Sequence, residues 1–265
     1  MTGVFALCAF VVVLPLFLIF ADLVVKGAGA LSPALVTELP KPVGEEGGGI
    51  ANGILGTLTL AGLATAGGIP IAVMTGIYLA EFGRGGRFAS AVRFAVDTMA
   101  GVPSIIMGIF GYALLVLPLG HFSAWAGAFS LGMIFVPVVV RTTEEMLKTV
   151  PQTVREAALA LGIAHWKATL FIVVRAALPG IVTGILLATA RIAGETAPLL
   201  FTALGNQFWQ SGLSQPVAAI PLQVFNYAIS PYEEWHRLAW GGAVVLILLV
   251  MTIGISARVL TREKR

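Results

Sequence analysis

Six apolar segments, each long enough to cross a bilayer, constrain this chain of 265 residues more than any other feature. A transmembrane helix needs about 20 consecutive, mostly apolar residues. The segments fall at about 4–21, 54–80, 94–117, 123–140, 178–200 and 238–260. Inside lipid every backbone N–H and C=O must be satisfied within the segment, so the expected fold is all-α, an integral membrane bundle of six transmembrane helices. Charged residues amount to only 11%, against 58% hydrophobic, too few to cover a soluble surface of this size. One transmembrane domain spanning 1–265 is expected, with a polar segment, 141–177, between the fourth and fifth spans.

Details within the segments sharpen the expectation. The second contains Gly67-Gly68 and Pro70 and reads as interrupted. Pro103 removes a backbone hydrogen bond from the third, so a kink or break is expected there. The first segment resembles a signal peptide in length, but Met1-Thr2-Gly3 carries no basic side chain, and a retained helix is expected. Glycine numbers 31, and in an apolar chain small residues let helices approach closely. Gly180-Ile-Val-Thr-Gly184 continues into Ala188 as a small-residue seam whose expected role is helix packing; with the charges above it, the stripe would also suit a helix at an interface between two subunits. A similar stripe of Gly101, Ser104, Gly108 and Gly111 follows Asp97 on the third span.

Lys and Arg positions set the orientation, because short loops rich in them stay cytoplasmic. Arg84, Arg87 and Arg93 follow the second span; Arg141, Lys148, Arg155, Lys167 and Arg175 follow the fourth; Arg258, Arg262, Lys264 and Arg265 close the chain. Only Lys26, Lys41 and Arg237 fall on the opposite side, with Asp22, Glu38, Glu45, Glu46, Glu233 and Glu234. Both termini are therefore expected in the cytoplasm. The pI near 9.2 reports this asymmetry and gives no reason to invoke nucleic acid. Trp209, Tyr227, Tyr232, Trp235 and Trp240 read as an interfacial aromatic belt or as contacts for an external partner.

Several functions are excluded by what the sequence lacks. Cys8 is the single cysteine, and His121, His165 and His236 have no ligand spacing, so no disulfide framework or metal site is expected. No G-x-x-x-x-G-K-[ST] pattern exists to cradle ATP, and no Ser/His/Asp arrangement suggests a hydrolase.

Two charges stand where charge is expensive. Arg191 and Glu195 are four residues apart in the fifth apolar segment, a spacing that places both on one helix face. Each costs about 2.5–3.5 kcal/mol at a helix centre on insertion scales, and such groups usually mark a pathway. Counting from Gly180 at about 1.5 Å per residue puts Arg191 near the bilayer midplane. A guanidinium matches oxyanions through its planar fork of donors. Glu195 has three readings: it satisfies Arg191 as a structural ion pair, it holds Arg191 until substrate displaces it, or it accepts a hydrogen bond from a protonated oxyanion. Asp97, about a turn from the cytoplasmic edge, is poorly placed to reach Arg191 and has Arg93 as a nearer partner.

The polar segment carries the most specific pattern. Thr153 is expected to cap a helix with Glu156 in its first turn, Gly162 to end it, and a second amphipathic helix to lead into Leu178-Pro179-Gly180. Glu156-Ala157-Ala158, then Gly162, then Leu178-Pro179-Gly180-Ile181, resembles the EAA loop of type I ABC importer permeases, the MetI-like fold, although Arg175 replaces a proline common in that pattern. The stretches Met99-Ala-Gly-Val-Pro-Ser-Ile-Ile-Met-Gly108 and Ala190 to Trp209 resemble the permeases of phosphate-specific transporters, and the likeness runs from about Gly56 to the end of the chain.

That resemblance implies an inner-membrane permease subunit for inorganic phosphate. Arg191, Glu195, the adjoining Thr196 and Asp97 then form the candidate substrate path. Glu156, Ala157, Ala158 and Gly162 would be the docking surface for an ATPase. It also implies the partners: a PstC-like second permease, two PstB-like ATPase subunits that bind ATP and Mg, and a PstS-like periplasmic phosphate-binding protein. No cofactor is expected in this chain. A permease for sulfate or molybdate is the nearest alternative; a channel or intramembrane enzyme acting alone has no supporting constellation.

Overall fold

The computed structural model describes residues 2–42, 45, 47–83 and 85–261. Arg84, Glu46, the side chain of Arg258 and the basic residues from Arg262 onward, all used above to set orientation, lie outside the described residues or side chains. Among the described residues the chain is helical, with five helices long and apolar enough to cross a membrane and a sixth candidate made of two bent limbs.

The first span, Thr2–Ala28, is one helix despite Pro15 and presents almost wholly exposed apolar side chains, the surface a lipid environment requires. It meets the rest of the chain only near its end, where Gly27 abuts Val244 and Lys26 Nζ lies 4.9 Å from the centre of the Trp240 ring. The second span, Ala51–Phe82, corrects the expected interruption. Gly67, Gly68 and Pro70 sit within a continuous helix, whose last turn, Tyr78–Phe82, widens to π geometry. One missing N–H does not break a helix held on its buried side, and Gly68 lets Phe135 of the fourth span close against it. Leu60, Ala64, Ala72 and Leu79 pack here with Leu131, Phe135 and Val139 in the main core.

The third apolar segment is two helices, Arg87–Gly101 and Ser104–Leu119, meeting at 104°. The physical cause is Pro103. It offers no N–H and drives Val102 into extended geometry (ψ 132°), so the α ladder cannot continue.

The fourth span, Ala124–Thr149, runs nine residues past its expected end at 140, so Arg141 and Lys148 are helical rather than loop residues. Ser123 starts it, its hydroxyl accepting from the Ala126 N–H at 3.2 Å. The fifth span is also displaced, from 178–200 to His165–Ala193. The expected second amphipathic helix is the beginning of this span, with a π turn over Thr169–Val173. The sixth span begins at Glu233 and extends through Thr261.

The glycine seams close contacts inside this chain. Gly180 faces Met146 and Gly184 faces Thr142, both on the fourth span, while Gly108 lies against the Pro198 backbone and Gly111 against Ser130. The packing expected of Gly180–Gly184 is what the structure shows: the fourth span of this chain occupies the seam, which is therefore not open to a second subunit at these glycines. Gly101 has open space around it.

At the end remote from the 150–165 turn, the connection between the fifth and sixth spans folds back over the bundle. Asn52 Nδ2 donates to the Asn206 carbonyl at 2.7 Å, Gln223 Nε2 to Asn52 Oδ1 at 2.9 Å, and the Ile220 N–H to Thr57 Oγ1 at 2.9 Å. Gly56 makes this possible, since a Cβ there would stand 1.9 Å from the Ala218 carbonyl oxygen. Gly56→Ala should therefore lower the stability of the purified chain by about 2–3 kcal/mol, as overpacking against backbone does. Gly62→Ala, with nothing within 4 Å, should leave it unchanged or raise it slightly. Thermal unfolding in detergent compares the two, and equal melting points would refute this reading.

The aromatic residues of that end pack mainly on one another. Trp235 meets Tyr227 at 5.1 Å and Tyr232 at 5.8 Å between ring centres. Burial pushes the Tyr227 phenol up to about 12. Phe208 and Trp209 remain exposed on the connection.

Candidate functional site

Arg191 lies in the last turn of the fifth span, which ends at Ala193. Starting the helix at His165 puts Arg191 about 39 Å along it, at its C-terminal end rather than eleven residues into a continuous membrane helix. Glu195 is therefore not on the same helix as Arg191. Gly194 caps the span, its N–H donating to the Arg191 carbonyl at 3.2 Å, and Glu195 and Thr196 form the turn before the short helix Ala197–Thr202. The negative end of the helix dipole favours a cation at this position.

The pair itself is loose. Arg191 Nε stands 3.9 Å from Glu195 Oε1, too far for a hydrogen bond, and the Arg191 side chain is 60% exposed against 18% for Glu195. A mutually satisfied structural pair is excluded by this geometry. The guanidinium donates to no other described residue, so its fork is free to meet an oxyanion or a partner. Thr196 adjoins it, with its carbonyl accepting from the Leu199 N–H at 3.1 Å. The turn is held from behind, where Gly108 of the bent third segment docks on Pro198.

Asp97 is not part of that cluster. It pairs with Arg141 through Nε at 2.7 Å and through Nη2, rather than with Arg93. Arg141 also reaches Glu144 Oε2 at 3.4 Å. Glu144, fully buried, accepts further from Arg93 Nε at 2.9 Å and Lys148 Nζ at 2.7 Å, and Arg93 Nη2 donates to the Leu79 carbonyl at 2.6 Å. This network joins the second, third and fourth spans. It was missed in the sequence because residues 141–149 read as loop; continuing the fourth helix would have aligned Arg141, Glu144 and Lys148 at helical spacing.

The third constellation is the turn between the fourth and fifth spans. Its helix is Gln152–Ala160, and Pro151 rather than Thr153 occupies the N-cap, with no side-chain cap. Gly162 ends it as expected, at φ +75° in the left-handed region, and two bonds close the end: Ile163 N–H to Ala158 O at 3.1 Å and Gly162 N–H to Leu159 O at 2.9 Å. Glu156 and Ala157 face outward while Ala158 is buried. Exposed Leu159, Leu161 and Trp166 surround them, an apolar rim at the base of three spans.

Comparison with known proteins agrees with this architecture. Residues 68–263 match the family described as binding-protein-dependent transport system inner membrane component. A chain of the MetNI methionine ABC transporter, in an inward-facing structure, superposes with a TM-score of 0.69 at 19% identity, covering 80% of this chain and 94% of that one. The chain is thus a multi-pass inner-membrane permease subunit of the ABC importer class with a MetI-like fold. The chain is 48% identical over 242 residues to the phosphate transport system permease protein PstA of Yersinia pestis, covering 91% of this chain and 82% of that one. It is 47% identical over 247 residues to the PstA of Haemophilus influenzae, covering 93% and 87%. It belongs to the PstA family of phosphate transport system permeases.

Proposed function

We propose that this chain is the transmembrane permease subunit of an ATP-driven importer of inorganic phosphate. The observation that carries the reading is the exposed Arg191 guanidinium in the last turn of the fifth span, without a hydrogen bond to any described residue and with Glu195 at 3.9 Å as a weak competitor. A bidentate fork with a displaceable carboxylate suits an anion that must bind and then leave. The names of the PstA relatives support phosphate as that anion.

The remaining parts of the reading follow from the same class. ATP and Mg are bound by PstB-like partner subunits, which dock on Glu156, Ala157 and Gly162, whereas Ala158, expected on the same surface, is buried against this chain and packs the helix from beneath. A PstC-like permease completes the path and a PstS-like binding protein delivers phosphate on the opposite face. The distribution of basic residues supports a cytoplasmic docking helix and cytoplasmic termini. The test is uptake of labelled phosphate by vesicles containing the reconstituted transporter, with ATP inside and binding protein outside. Uptake should require both, and a tenfold excess of sulfate or molybdate should leave it unchanged. Equal competition by either would shift the reading to that oxyanion.

Docking has its own prediction. Gly162→Val forces a β-branched residue into left-handed backbone, a cost of at least about 1–2 kcal/mol, although the site has open space. Co-purification of the ATPase subunits should fall several-fold. Unchanged association and normal transport would remove Gly162 from the docking surface.

A further inference from the structure

Arg155 lies one residue before the exposed Glu156 yet points the opposite way. Its Nε stands 3.1 Å from both carboxylate oxygens of Glu81, and Nη2 reaches Glu81 Oε1 at 2.5 Å. The same guanidinium donates through Nη1 to the Val150 carbonyl at 2.6 Å and through Nη2 to the Leu147 carbonyl at 2.8 Å. These are carbonyls of the last turn and C-cap of the fourth span; Leu147 O also accepts the Val150 N–H at 3.3 Å, and the arginine adds a second donor to it. The side chains are 9% and 1% exposed. One arginine on the docking helix is thus bonded to the ends of two spans.

The third attachment is nearby. Glu81 belongs to the π turn Tyr78–Phe82, and Phe82 meets the ring of His165, the first residue of the fifth span, edge-on at 5.1 Å. The fifth span has its own π turn at Thr169–Val173, and Thr169 and Val173 line a cavity of about 110 Å³ with Glu81, Arg155 and His165. A π turn holds one residue more than an α turn and recurs at functional sites. Two of them flank the root of the docking helix.

Burying an ion pair gives little net stability relative to apolar packing of the same volume, because desolvation offsets the attraction. What the pair supplies that leucine and methionine would not is direction. A fork bonded at four points moves its partners with it, whereas apolar side chains slide.

We infer that Arg155 and Glu81 are positioning residues that transmit displacement of the docking helix to the ends of the second and fourth spans. This rests on the reading of the chain as an ATP-driven permease. The pair acts on coupling and touches neither substrate nor nucleotide.

The experiment uses the full transporter, with its second permease, ATPase and binding protein, in vesicles. Three variants are compared: Arg155→Lys, Glu81→Gln, and the double Glu81→Leu/Arg155→Met. Two quantities are read, the amount of assembled complex and the ATP hydrolysed per phosphate taken up. Arg155→Lys keeps the charge but not the fork, and the double variant leaves no orphaned charge. Both should assemble at half the wild-type level or better, while ATP hydrolysed per phosphate rises about tenfold. Glu81→Gln should shift the ratio in the same direction.

A ratio within twofold of wild type in either assembling variant overturns the inference. So does failure of both to assemble, which would make the pair a folding element. A wild-type transporter that carries a different oxyanion would defeat the phosphate reading alone, and the same ratio would then be measured with that ion.

Discussion

Arg191→Ala is expected to reduce ATP-driven phosphate uptake at least about a hundredfold while the protein remains in the membrane at normal amounts. The second half of that statement comes from the structure. The side chain is 60% exposed and makes no hydrogen bond to a described residue, so folding does not depend on it. The first half comes from the chemistry: a charge-assisted bidentate contact contributes two hydrogen bonds of about 1.5–3 kcal/mol each. Losing about 3 kcal/mol is two powers of ten. Arg191→Lys keeps the charge and loses the fork, so an intermediate loss of about tenfold is expected. Glu195→Gln separates the two remaining roles of the carboxylate. If it releases Arg191 to substrate, the variant binds phosphate more tightly and turns over more slowly. If it accepts a proton-bearing oxygen, the pH dependence of uptake changes instead. Uptake that survives both Arg191→Ala and Glu195→Ala would take these residues off the path.

Glu144→Ala should strongly damage the fold. This carboxylate is wholly buried and answers Arg93, Arg141 and Lys148 together. Removing it leaves Arg93, only 28% exposed, without its anion at the junction of three spans. Breaking a buried charge pair from one side costs about 3–5 kcal/mol, a large part of a membrane domain's margin. Folded protein recovered in mild detergent should fall several-fold. Lys148→Ala, whose side chain is 57% exposed, should have little effect by the same measurement. Equal recovery of Glu144→Ala and wild type would show that the network does not hold the spans together.

The apolar segments were legible because lipid leaves a chain few options, and the break at Pro103 was legible because the missing N–H is written in the residue type. The boundaries of the fourth and fifth spans were not. Arg141 and Lys148 read as loop since charge ends a hydropathy segment, yet both sit on a helix whose Glu144 neutralises them. Likewise His165, Lys167 and Arg175 concealed the first turns of the fifth span. The fifth span also ends earlier than expected, at Ala193, which leaves Glu195 beyond the helix that carries Arg191. The helix ahead of Gly162 was legible in the EAA-like motif, because a left-handed C-terminal residue has a strong glycine preference. It gave no sign of Glu81, which lies 74 residues from Arg155 and pairs with it only in space.

The sequence by itself determined the class of the chain, the number of apolar segments, the short helix ended by Gly162 and the two charged residues of the candidate path. These follow from local rules: apolar length, glycine conformation and the cost of charge in lipid. Tertiary structure decided which charges neutralise one another, which glycine seams are occupied within the chain, and where Arg191 stands relative to a helix end. Those depend on side chains brought together from distant positions. A one-dimensional pattern records that a charge is present; only the fold shows whether it is answered, as Glu144 is, or left open, as Arg191 is.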